Sequence, residues 1–302
     1  MNYVKEYCDK IESGEIVAGK KIKKIYRRLV DEANDKSLPF YFDETKAERP
    51  IQFIETFCKQ TEGEMGKPIK LELFQKAYIS ALFGFVNRET GTRRFNETLF
   101  LVGRKNGKTT MLSAIALYMM IADGEGGAEC YSVATKKDQA AKAFKSACDM
   151  RNQSPEIKAV VKKRRSDMYM PETSSTFQPL SSDSDTLDGL NSHLVIIDEL
   201  HAIKDGNLYE VMKTSTSARR QPLTVMITTA GTIRECIFDD VYDYANHVLN
   251  GTIKNDAFLP ILYELDNPQE WMQINCWVKT NPRIRKHQTI QIFIRTSSKS
   301  KG

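Results

Sequence analysis

No stretch of this sequence is apolar and long enough to cross a bilayer as a helix, and its opening, MNYVKEYCDKIESGE, puts charges where a secretory leader needs an apolar run. The expectation is a protein with no membrane part that stays in the cytoplasm of the cell that makes it. Cysteine is sparse: Cys8, Cys58, Cys130, Cys148, Cys236 and Cys276 form no CxxC pair and stand beside no histidine at ligand spacing, which argues against a disulfide framework and a thiolate zinc site. His193, His201, His247 and His287 lack an accompanying cluster of carboxylates or thiols and read as packed or solvated side chains. Charge does not name a partner either. A net +5 over 302 residues permits contact with a polyanion, yet many proteins that touch none carry as much.

What is present reads as an ordinary globular chain, with 41% hydrophobic and 27% charged residues, long enough to bury a core without staples. Residues 1–60 read as an N-terminal helical appendage, with runs such as 21–33. Ile51, Ile54 and Cys58, then Phe74, Tyr78, Ala81 and Phe85, recur at helical spacing and mark two amphipathic helices. Over 61–235 short apolar runs alternate with helical ones: strand 98–102, helix 107–122, strand 130–134, helix 137–150, strand 193–198, helix 207–216, strand 223–229. Between the second helix and the third strand lie a small hairpin, 167–171 with 175–180, and the loop-like SSDSDTLDGLNS; the last strand ends in the turn-like Ala230-Gly231. The alternation predicts an α/β fold with a mostly parallel sheet flanked by helices. Residues 236–302, with a strand-like AFLPILYEL and a basic end, read as a short C-terminal subdomain or truncated linker.

The segment TLFLVGRKNGKTTMLSAIALYMM places GRKNGKTT between an apolar strand and an apolar helix, the setting of a phosphate-binding loop. Successive backbone N–H groups and the helix N-terminus make a concave positive surface for a phosphate, so Gly103, Arg104, Lys105, Asn106, Gly107, Lys108, Thr109 and Thr110 are the candidate ATP-binding residues. Lys108 is expected to reach the β- and γ-phosphates as a point charge, and Thr109 to offer a hydroxyl to Mg²⁺, which prefers oxygen donors. The loop departs from GxxxxGK[ST] in one respect: Val102 holds the first glycine position and Gly103 follows it.

A second signal is HLVIIDEL, an apolar strand delivering two adjacent carboxylates at its C-terminal end. Asp198 is the candidate to hold Mg²⁺ through water, and Glu199 the candidate to orient and deprotonate the attacking water. A third is PLTVMITTAGT, whose end, Thr228-Thr229, would lie beside Asp198 if the two strands are neighbours and could couple hydrolysis to movement. Taken singly, Thr229 reads equally as a strand-end residue capping a turn. Together these features give a P-loop NTPase of the RecA-like class using ATP and Mg²⁺.

The ordered set LELFQ, RRFNETLFLVGRKNGKTT, YSVATKKDQA, LDGLNSHLVIIDELH and QPLTVMITTAGT resembles the ATPase domain of tailed-phage terminase large subunits, over roughly residues 70–232. The resemblance implies an ATP-driven motor that moves double-stranded DNA into a procapsid in the host cell cytoplasm. It implies partners too: DNA gripped without base reading, a portal protein, a small terminase subunit, and further copies in a ring. By the same resemblance Arg104 is a cis arginine finger, Gln75 contacts adenine, Thr135 and Gln139 belong to a motif after the second strand, and Thr228 and Thr229 to the coupling motif. Arg219 and Arg220 are candidates for an arginine offered to a neighbouring copy. That family also carries a nuclease domain downstream. Only Asp256, Glu264, Asp266 and Glu270 supply acids after Thr252, so nuclease activity is not expected of this chain.

Two rivals remain at this point. Asp198-Glu199-Leu200-His201 spells a DExH box, so a fragment of a superfamily 2 DNA or RNA helicase is an alternative, though no second domain with its arginine motif follows Thr232. An inactive prophage remnant is the other, against which stand the intact Lys108, Asp198 and Glu199.

Overall fold

The computed structural model describes residues 1–181, 189–203, 206–229 and 236–284. Helix α1 (Tyr3–Glu12) starts where the Asn2 side chain accepts a hydrogen bond from the Lys5 N–H, and α2 (Lys20–Asn34) covers the expected run 21–33. A short strand β1 (Phe40–Phe42) precedes α3 (Glu44–Phe57), which Asp43 caps by accepting from the Lys46 N–H at 3.0 Å. Such a cap is worth ~1 kcal/mol. Helix α4 (Leu73–Gly84) runs into β2 (Phe85–Asn87), which pairs antiparallel with β1. Instead of the amphipathic helix expected, α4 is buried on nearly every side, because α1 and α3 pack over the face that would otherwise meet water.

The central part alternates as predicted: β3 (Glu97–Leu101), α5 (Lys108–Ile121), β4 (Glu129–Ala134), α6 (Lys137–Gln153) and the short α7 (Pro155–Val160). Then follow β5 (Lys162–Lys163), β6 (Met168–Met170), β7 (Ser175–Ser181), β8 (Ser192–Asp198), α8 (Gly206–Thr214), β9 (Leu223–Thr228), α9 (Ile237–Asn250) and β10 (Phe258–Leu262). Of the expected loop SSDSDTLDGLNS, Ser181 closes β7 and Ser192 opens β8, while residues 182–188, like the turn at Ala230-Gly231 and the basic end from 285 onward, lie outside the described residues.

One eight-stranded sheet orders these strands β10-β3-β9-β8-β4-β7-β6-β5. Pairing is parallel from β10 through to β7 and antiparallel only for β6 and β5. Two placements went beyond the sequence pattern. The hairpin of β6 and β7 is part of the main sheet, since β7 pairs parallel with β4 and Phe177 meets Phe144 of α6 at 5.6 Å. The strand-like run near 260 is β10, the fully buried neighbour of β3.

Helices α4, α5 and α6 cover one face of the sheet, and α8 and α9 the other. The first helices share the larger core. Tyr7 of α1 and Tyr26 of α2 meet Tyr263 just past β10, with the Tyr7 and Tyr263 hydroxyls 3.2 Å apart. Arg94 ties α2 to the sheet: its guanidinium sits 2.6 Å from Glu32 and lies over the rings of Phe40 and Phe95. Each such cation–ring contact adds up to ~2 kcal/mol when desolvated.

At the edge of the sheet away from the phosphate loop, Asp123 follows α5 and takes two hydrogen bonds from Arg93, at 3.2 and 3.3 Å, and one contact from His193 Nε2 at 2.9 Å. Burial alone pushes a carboxyl up, but the Arg93 guanidinium and His193 overcome it and hold Asp123 at about 2. A folded pKa below the unfolded one means that the cluster stabilises the protein above about pH 4 and loses that contribution as pH falls toward 2. Asp123→Asn should therefore cost ~3 kcal/mol, since it leaves a buried guanidinium without its counter-charge. Denaturant melts at pH 7 and pH 3 check this: the gap between wild type and variant should narrow at the lower pH.

Candidate active site

Parallel pairing brings β3, β9 and β8 side by side, so their C-terminal ends open onto one edge of the sheet. From β3 the chain turns through Gly103–Gly107 into α5, whose first residue is Lys108. Gly107 stands at φ +73°, a left-handed conformation that an L side chain adopts only with strain, and Lys105 adopts φ +64° as well. These reversals curl the loop's backbone around a concave space at the helix N-terminus.

The Lys108 ammonium turns back into that space and donates to the carbonyls of Val102 at 3.1 Å and Gly103 at 3.4 Å. Burial lowers its pKa to about 8, opposed by Asp198 and reinforced by Arg104. Arg104 and Lys105 are exposed, and among the described residues the Arg104 side chain makes no hydrogen bond or ion pair. Thr109 and Thr110 are half-buried in the first turn of α5. Asn106 is 2% exposed and donates through Nδ2 to the carbonyls of Gly103 and Arg104, which fixes the loop's width.

Asp198 ends β8 in register with Ile227 of β9, one residue before Thr228. Its pKa is raised, first by burial and then by the charge of Glu199 beside it. Glu199 takes the left-handed φ of +54°, sparsely populated for a side chain of its size, and so aims its carboxylate away from the strand direction. Two hydrogen bonds hold it there: its N–H donates to Asp198 Oδ1 at 2.9 Å, and Gln139 Nε2 donates to its Oε2 at 2.7 Å. Thr135, at the end of β4, donates in turn to Gln139 Oε1 at 3.5 Å.

This donor set suits Mg²⁺. Two adjacent, half-buried carboxylates end β8, burial and the mutual charge of the pair raise the pKa of Asp198 despite Lys108 and Lys142, and Thr109 adds a hard oxygen from the loop side, so a divalent cation would relieve the pair.

Other expected residues lie where their strands put them, with different neighbours. Thr228 is 1% exposed and bonds to His201 Nδ1 at 2.7 Å rather than to Asp198, while Thr229 faces a cleft of about 930 Å³ beside the loop, shared with Gly103 and Arg104. That cleft reaches neither Lys108 nor the carboxylates, so it is the flank of the loop and not the reaction centre. Gln75 has both ends engaged: Oε1 accepts from the Glu72 N–H at 3.0 Å, and Nε2 donates to the Asn106 carbonyl at 3.3 Å. Arg219 stands at the opposite edge of the sheet, bonded to the Asn191 carbonyl and ion-paired with Glu125; Arg220 donates to the Thr90 carbonyl.

Sequence reasoning missed three links. Gln139 restrains Glu199, His201 pairs with Thr228, and Asn281 reaches Asn106 Nδ2 at 3.0 Å from the far end of the chain. No local signal in the sequence announces the last, since its two residues stand 175 positions apart.

Comparison with known proteins bears on the fold and the family. The large terminase of Enterobacteria phage HK97 is 29% identical over 191 residues, 61% of this chain and 37% of its own. The terminase large subunit of Lactococcus phage p2 is 23% identical over 292 residues, 94% of this chain and 53% of its own, so the chain spans about half the length of the curated relatives it matches, or less. The crystal structure of the HK97 large terminase superposes with a TM-score of 0.70 at 23% identity, covering 84% of this chain and 52% of that one, and shares the fold. The family model described as "Terminase large subunit, ATPase domain" matches residues 73–247, a span holding the phosphate loop, both carboxylates and the strand between them, and the chain belongs to that family.

Proposed function

We propose that this chain is the ATP-hydrolysing motor part of a DNA-packaging terminase, and the observation that carries this is the convergence of Lys108 with Asp198 and Glu199 on one sheet edge. Membership of the terminase family displaces the helicase reading of Asp198–His201. The intact triad of lysine and two carboxylates speaks against a remnant without chemistry.

ATP would lie with its phosphates in the concave space around the N-terminus of α5. Lys108 would leave the two carbonyls it now contacts and meet the β- and γ-phosphates, a stronger partner for an ammonium. Mg²⁺, held from Thr109 and through water from Asp198, would supply charge neutralisation on the phosphate oxygens. Glu199, aimed by its backbone and by Gln139, would accept a proton from a water as that water's oxygen bonds to the γ-phosphorus and the bond to the β,γ-bridging oxygen breaks. Arg104, exposed at the loop's mouth and without a hydrogen bond or ion pair among the described residues, would swing toward the charge that develops there. Gln75 would serve the nucleotide through the loop it supports, unless its side chain leaves Asn106 to meet the base.

Double-stranded DNA would be held by lysines and arginines through its phosphates, without base contacts, as a motor that accepts every sequence requires. A portal protein, a small terminase subunit and a ring of copies in the host cytoplasm complete the proposal. Among the described residues no helix is long and apolar enough to cross a membrane.

Three variants test the site through ATP turnover and nucleotide binding. Lys108→Ala should abolish hydrolysis and weaken binding, and wild-type turnover in it would sink the loop assignment. Glu199→Gln should keep ATP bound while kcat drops ~10²-fold or more, because the amide keeps the shape but takes no proton. Arg104→Ala should lower kcat by a similar ~10²-fold with KM little changed, the pattern for a charge that acts on the transition state. An unchanged kcat would return Arg104 to a surface role.

A further inference from the structure

The phosphate loop is held from outside as well as from within. After β10 the chain passes through two short 3₁₀ turns, Pro268–Met272 and Ile274–Lys279, and returns to the loop. There the Gly103 N–H donates to the Thr280 carbonyl at 2.9 Å, Asn106 Nδ2 donates to Asn281 Oδ1 at 3.0 Å, and the Arg283 N–H donates to Asn106 Oδ1 at 3.2 Å. The approach is so close that a Cβ on Gly103 would clash with Asn281 Oδ1 and stand 2.9 Å from the Thr280 carbonyl oxygen. No other residue type fits at 103 with the strap in place.

The strap is anchored at its base, away from the loop. Lys279 bridges Asp266 at 2.7 Å and Glu270 at 2.6 Å, all three half-buried, and Asp266 Oδ1 also accepts from the Lys20 N–H at the start of α2. Between base and loop, Asn281 is bound to its own turn: its N–H donates to the Trp277 carbonyl and its Nδ2 to Thr280 Oγ1.

Loop and strap therefore share one hydrogen-bond system. The Gly103 carbonyl receives Lys108 and Asn106, while the N–H of the same residue is held by Thr280. When Lys108 leaves that carbonyl for a phosphate, the peptides of Gly103 and Asn106 readjust, and the strap bonded to them must readjust too. We infer that Asn281 is a positioning residue of the phosphate loop and that the strap it belongs to reports whether the loop is filled, so that nucleotide binding reaches the segment after β10. This rests on the reading of the loop as a phosphate site.

Both tryptophans of the chain, Trp271 and Trp277, lie in the strap, the first 64% exposed and its carbonyl accepting from Trp277 Nε1. Their emission thus reads the strap directly. The test follows two signals in the full chain with Mg²⁺: direct excitation of methylanthraniloyl-ADP for binding, and tryptophan emission with unlabelled ADP for the strap. In wild type both should saturate at the same ADP concentration. Asn281→Ala should bind about tenfold more weakly, the effect of one lost hydrogen bond at a buried amide. At saturating ADP it should show less than a fifth of the wild-type emission change.

Lys279→Met, which touches no loop atom, should remove the emission change while leaving ADP affinity within about threefold, and it serves if Asn281→Ala fails to fold. A full emission change in either folded variant, or none in a wild type that binds methylanthraniloyl-ADP, overturns the proposal. Failure of wild type to bind that nucleotide would instead refute the phosphate-loop reading, and the inference with it.

Discussion

Everything at this site depends on parallel backbone pairing of three strands, β3, β9 and β8, buried along their length except at Asp198, where β8 ends. Parallel ladders demand that both faces be covered, and the helices that cover them must return the chain to the same end each time. The loops that matter then open at one edge by necessity. Lys108, from the turn after β3, and Asp198 with Glu199, from the end of β8, meet without any direct bond between their elements.

The chemistry of that edge was legible in the sequence because each part of it is local. A glycine-rich turn before a helix, and two acids ending an apolar run, keep their meaning within ten residues, so Lys108, Thr109, Asp198 and Glu199 could be read directly. The parallel sheet was legible for the same reason, from alternation. What escaped is long-range. The residues near 260 read as a strand, but nothing in AFLPILYEL says that it lies beside β3, and the contact of Asn281 with Asn106 spans 175 positions. Gln139 was singled out, yet its bond to Glu199 needs β4 and β8 to be neighbours, a fact of topology.

One apparent flaw in the motif finds a physical account in the fold. The glycine expected first in the loop stands one place late, at 103, and that is where the returning strap comes closest. At the conventional place, Val102 is 1% exposed and its N–H bonds to the Thr228 carbonyl, a setting in which a branched apolar side chain packs and a glycine would leave a void. The sequence departs from the pattern because two constraints, close approach and core packing, act on adjacent residues.

The two margins of the sheet bear on how copies of this protein can coexist. A strand margin is a row of unfilled donors and acceptors that invites another chain. On one side β10 is fully buried, with α2 packed against it; on the other the sheet dwindles to β5, two exposed lysines followed by Arg164 and Arg165. A ribbon that ends in like charges repels its own image. Two copies of this chain brought margin to margin would therefore resist fusing into a continuous sheet and would meet through side chains instead.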